Sequence, residues 1–157
     1  MKHILFAVAL FATGLVQQSF AQDSLKTQTS FLLTSYYTIK DALVKGNADA
    51  ARINAAEFIK AINDSEKAII APEYRNGLEN DAASISQSND IKVQREKFAS
   101  LSVNLFAIAK TIKLSAVPIY QMYCPMKKAV WLSDTKSIKN PYYGSAMLTC
   151  GSIKETL

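Results

Sequence analysis

The stretch FASLSVNLFAIAKTI, Phe98–Ile112, carries the strongest periodicity in the chain. Its apolar residues Phe98, Leu101, Leu105, Ile108 and Ile112 recur at alternating steps of three and four. That rhythm keeps them on one side of a helix and leaves polar residues on the other. Asp90 stands upstream as a candidate N-cap.

Upstream, weaker stripes repeat the pattern. Leu32, Tyr36, Ile39 and Leu43 predict a first helix, stopped by Gly46. Asn47 is placed to cap a second, with Ala51, Ala55, Phe58 and Ile62 on its buried side. Asn63 to Ser65 and Ala71-Pro72 bracket a less regular stretch. A third helix is expected from Pro72, with Leu78, Ala82 and Ile85 inward and a kink or late start at Asn76-Gly77. Ser86 to Asn89 reads as a polar turn. Four amphipathic helices with short links predict an all-α fold, an up-down four-helix bundle. The stripes are accounted for by their own core. No carboxylate pair repeats at helical spacing in them, so a di-iron centre lacks ligands.

The chain opens differently. Lys2 and His3 precede an apolar run, Ile4 to Val16, and Ser19-Phe20-Ala21 follows with small residues at the cleavage positions. This predicts a signal peptide over 1–21 and a single helical-bundle domain over 22–157, with helices in 22–117 and a tail in 118–157. The expected product is soluble and periplasmic or otherwise exported, with no membrane span after cleavage. The chain has 157 residues and a net charge of +5, with lysines scattered rather than striped, which argues against nucleic acid as a partner. His3 is the only histidine and leaves with the signal. Histidine-dependent nucleophilic catalysis and histidine-rich zinc sites are thereby excluded, and no enzyme is expected.

Beyond Pro118 the helical period fades. The irregular tail is expected to pack on the bundle, with a short strand at Ala129 to Leu132 and a second at Met147 to Cys150 pairing with it. It holds both cysteines, in Cys124-Pro125-Met126 and Met147-Leu148-Thr149-Cys150. Thiolate and thioether are soft donors that favour Cu(I) or Ag(I) over harder ions, so Cys124, Met126, Met147 and Cys150 form one candidate metal set. A Cys124–Cys150 disulfide is the other reading, natural in an exported chain. It would close a loop of about 25 residues, worth roughly 3 kcal/mol in the chain-entropy model. Trp131, Tyr142 and Tyr143 are expected to cover the site, to form a satellite core or to offer a partner surface.

These motifs also occur together elsewhere. C-P-M at Cys124, W-L-S at Trp131, I-x-N-P-Y-Y-G at Ile138 and M-L-T-C-G at Met147 stand in order, and Gln94 to Ser102 matches a long helix upstream. The chain resembles a bacterial exported domain of unknown function that is also found attached to adaptor subunits of CusB-type heavy-metal efflux pumps. The resemblance implies a role in copper or silver handling, with efflux components or another envelope protein as partners. It extends to none of the adaptor's own barrel or hairpin regions, which implies an accessory protein rather than a pump adaptor.

Overall fold

The computed structural model describes residues 29–65 and 70–157. The expected signal peptide lies outside these residues. Among the described residues four helices are present: α1 (29–44), α2 (Ala48–Asp64), α3 (Pro72–Gln87) and α4 (Ile91–Thr111). They are followed by three strands, β1 (Tyr120–Cys124), β2 (Ala129–Ser133) and β3 (Ser152–Thr156), with a 3-10 turn at Gly144–Met147.

The local signals act as their chemistry requires. Gly46 takes φ +70°, and the Gly46 and Asn47 N–H groups donate to the carbonyls of Leu43 and Ala42, a Schellman ending for α1. The Asn47 side chain then accepts from the Ala50 N–H at 2.9 Å, so two residues close one helix and open the next. Asp90 caps α4 by accepting from the Lys92 N–H at 2.8 Å. Arg75 donates to the Ile62 and Ser65 carbonyls at the C-terminal end of α2, where helix carbonyls lack partners.

α2 packs on α3 and α3 on α4. α1 meets α4 through Tyr36 and Phe98, whose rings stack at 5.0 Å. The core takes Leu32, Tyr36, Ile39 and Leu43 from α1, and Phe98, Leu101, Leu105 and Ile108 from α4. Ile112 caps the end of α4 half-buried. The kink expected at Asn76-Gly77 is absent, and α3 runs through without a break. Gly77 serves packing instead. A Cβ there would lie 3.0 Å from the Asn104 amide of α4, whose nitrogen donates to Asp81 at 3.3 Å.

The all-α expectation needs correcting, because the tail is a three-stranded antiparallel sheet in the order β2-β1-β3. The strand at Ala129 is present, but it pairs with β1 rather than with Met147 to Cys150. That second segment ends a 3-10 turn and continues as a closed loop. Its backbone groups are engaged elsewhere: the Leu148 carbonyl accepts from the Asn140 N–H, the Met147 carbonyl from the Cys150 N–H, and the Cys150 carbonyl from the Asn140 side chain. No such ladder is left for β2. Lys110 of α4 reaches Glu155 of β3 at 3.0 Å, a surface pair of small energetic weight. Among the described residues no helix is long and apolar enough to cross a membrane.

Candidate functional site

β1 alternates, with Met122 and Cys124 buried and Tyr123 half-buried between them. Cys124 is the last residue of the strand, so its sulfur faces the β1–β2 turn. The Lys127 N–H donates to that sulfur at 3.4 Å. Lys128 closes the turn with φ +55°. Cys150 comes from the other side, on the loop that precedes β3. The two sulfurs stand 3.8 Å apart, both as free thiols. Cys124 is fully buried and Cys150 partly exposed.

Asn140 organises this approach. It is completely buried, and its side chain donates to the Cys150 carbonyl at 2.7 Å and accepts from the Tyr142 N–H at 2.8 Å. The same side chain helps hold the Cys124 thiol below its ordinary value. One amide therefore fixes the Cys150 half of the pair and favours the thiolate of the other.

The electrostatics of the two thiols differ. Burial pushes the Cys124 thiol up, but hydrogen bonds from the Lys127 N–H, the Asn140 side chain, the Cys150 thiol and the Met126 N–H outweigh it. The net result is below the ordinary thiol value. Desolvation and the neighbouring Cys124 push Cys150 up. Cys124 is thus the better thiolate of the pair.

The remaining residues singled out from the sequence separate. Met126 sits in the turn with 62 % of its surface exposed, and its backbone N–H helps hold the Cys124 thiol down. Met147 is half-buried, and its carbonyl holds the Cys150 N–H at 3.1 Å. Trp131 is fully buried, and Tyr142 stands edge-on to it at 6.0 Å while donating its hydroxyl to the Val130 carbonyl. Both rings are buried in the one core they share with the helices, not in a satellite core. Tyr143 is half-buried. Gly151 is required by Trp131: a Cβ there would lie 2.7 Å from the indole ring and 3.1 Å from the Tyr123 carbonyl.

Sequence reasoning missed Asn140 as an organising residue. Its signal was present in the Asn-Pro pair, which read only as a turn. Among the described residues no group of three or more His, Cys, Asp or Glu side chains gathers at one point. No imidazole, carboxylate or third thiol therefore joins the two thiols among the described residues. A groove of about 460 Å³ lies between the end of α4 and β1, lined by Lys110, Lys113, Val117 and Leu157 among others. It includes neither cysteine.

The fold and the site together define a helical domain that carries a small sheet and a buried–exposed thiol pair. The chain belongs to the family described as protein of unknown function (DUF3347), which matches residues 32–116. The match spans the four helices and stops before β1, so the sulfur pair lies beyond it. No curated protein and no solved structure matches the chain.

Proposed function

We propose that this protein is an exported accessory component of copper or silver handling that binds a soft monovalent ion at Cys124 and Cys150. The observation that carries the reading is the 3.8 Å approach of two free sulfurs, one of them supplied with hydrogen bonds that favour the thiolate. Soft donors of this type select Cu(I) or Ag(I), whereas the four-ligand N/S set that zinc prefers is missing among the described residues.

The separation also bears on geometry. With metal–sulfur bonds of about 2.3 Å, two sulfurs lie about 3.8 Å apart around a tetrahedral ion, about 4.0 Å around a trigonal one and about 4.6 Å around a linear one. The pair therefore suits a bent arrangement with a further donor. Met147, half-buried three residues before Cys150, is our choice for it, and Met126 is an outer donor at the exposed turn. Heavy-metal efflux components or another envelope protein would give or receive the ion. The role is binding rather than catalysis.

Titrating the reduced protein with Cu(I) against a competing chelator tests the reading. Wild type is expected to compete, and the Cys124→Ser, Cys150→Ser double variant to lose the site. Equal affinity of the two would sink the proposal. The alternative is a disulfide-stapled interaction module without metal, favoured by the same short sulfur distance. Mass spectrometry of non-reduced native protein separates them, since two free thiols contradict the staple.

A further inference from the structure

We propose that the sulfur pair is a thiol–disulfide exchange site, in which partly exposed Cys150 takes up an external disulfide and buried Cys124 resolves it. The exchange stands on the sulfur geometry alone. Only its effect on a bound ion rests on the metal reading above.

The order of events follows from access. An incoming disulfide RS–SR reaches Cys150, because Cys124 has no exposed surface. The Cys150 sulfur, having given up its proton, attacks one sulfur of RS–SR. A Cys150–SR bond forms, the RS–SR bond breaks, and RS⁻ leaves with the electron pair and takes a proton. Cys124 then stands 3.8 Å from the sulfur it must attack. Its thiolate displaces the second RS⁻ from Cys150, and the bridge closes. Two protein thiols are oxidised by two electrons in all, and one RS–SR is reduced to two RSH. The oxidant is a low-molecular-weight or protein disulfide.

Two features of the fold fit this division of labour. The Asn140 amide holds the Cys150 carbonyl, so Cys150 stays beside its resolving partner, 3.8 Å away, while it carries the mixed disulfide. Cys150 also sits in a loop between a 3-10 turn and a strand whose residues are mostly exposed, where a small rotation toward Cys124 does not disturb the helical core. Closing the bridge consumes both thiolates, so a bound soft ion would be released on oxidation and excluded until reduction.

The experiment uses oxidised glutathione as the disulfide and metal-free, reduced protein. Cys124→Ser is expected to accumulate one glutathione, on Cys150. Cys150→Ser is expected to react at least tenfold more slowly while folded, and to catch up in denaturant. Wild type should pass to an intramolecular bridge. In wild type, early acid quenching and tryptic digestion place Cys124 in the peptide 114–127 and Cys150 in the peptide 140–154. The transient glutathione is expected on the second, a result that holds even if a serine variant fails to fold. Glutathione trapped first on the 114–127 peptide, or equal rates for the two variants, overturns the proposal. A second arm adds Cu(I): reduced protein should bind it, and bridged protein should not. Failure of reduced protein to bind overturns the metal reading, while the exchange itself stands or falls on the metal-free arm.

Discussion

Tyr36 of α1 and Leu132 of β2 are joined across 96 residues by one buried hydrogen bond, from the Leu132 N–H to the Tyr36 hydroxyl at 3.0 Å. The Ser102 hydroxyl gives its only hydrogen to the Phe98 carbonyl at 2.7 Å, so Tyr36 must donate to Ser102, at 2.7 Å. A single tyrosine thus links α1, α4 and the sheet. Tyr36→Phe leaves the strand N–H without a partner. The expected loss is about 1–3 kcal/mol of stability. Urea denaturation with an unchanged slope checks it, and an unaltered midpoint would contradict the link.

Asn140→Leu keeps the volume and deletes the amide. The Cys150 carbonyl and the Tyr142 N–H lose their side-chain partner. Stability should fall by about 1–3 kcal/mol, and Cys124 should alkylate with iodoacetamide several-fold faster as the loop loosens. A variant as stable and as protected as wild type would show that Asn140 is dispensable.

Two glycines separate backbone strain from crowding. Gly46 has φ +70° and open space around it, whereas a Cβ on Gly144, at φ +56°, would meet Arg95 at 2.8 Å and the Val44 carbonyl at 2.9 Å. Gly46→Ala should cost about 1–2 kcal/mol from the left-handed backbone alone. Gly144→Ala should cost clearly more in the same thermal or urea assay. Equal costs would mean that the loop at Gly144 yields freely.

Alkaline pH should unfold the protein in a defined direction. Burial raises Tyr36 and Tyr37, and raises Tyr142 strongly. An unfolded chain ionises these phenols near pH 10, while the folded chain keeps them protonated. Stability is therefore complete below about pH 10 and falls as pH rises beyond it. In an ultraviolet titration, phenolate absorbance from these three should appear only together with loss of helical circular dichroism. Free titration of all seven tyrosines near pH 10 in the folded protein would refute the burial argument.

The helical half was legible because its signals are local. The apolar spacing at Phe98 to Ile108, the Gly46-Asn47 pair and Asp90 each act within a few residues, and each appears in the structure as expected. The sheet was not, for a physical reason. β3 is mostly exposed along Ser152–Thr156, so it carries no apolar alternation to read. Its place beside β1 is a long-range pairing that no short window contains. Gly77 misled because a glycine in a helix signals a break locally, while its actual use, close approach to Asn104, belongs to a second helix. Whether Cys124 and Cys150 converge was open from the sequence, since their meeting depends on how two separate loops fold back. The inward amide of Asn140 was hidden inside a turn motif.

Trp131 gives the molecule a built-in optical reporter. It is the only indole in the chain, it is fully buried, and its ring lies against the backbone of Gly151, the residue that follows Cys150. Indole emission, excited selectively over the seven tyrosines, therefore comes from one place, next to the sulfur pair. A change in the state of those sulfurs can be followed in real time, without a label and without disturbing the residues being watched.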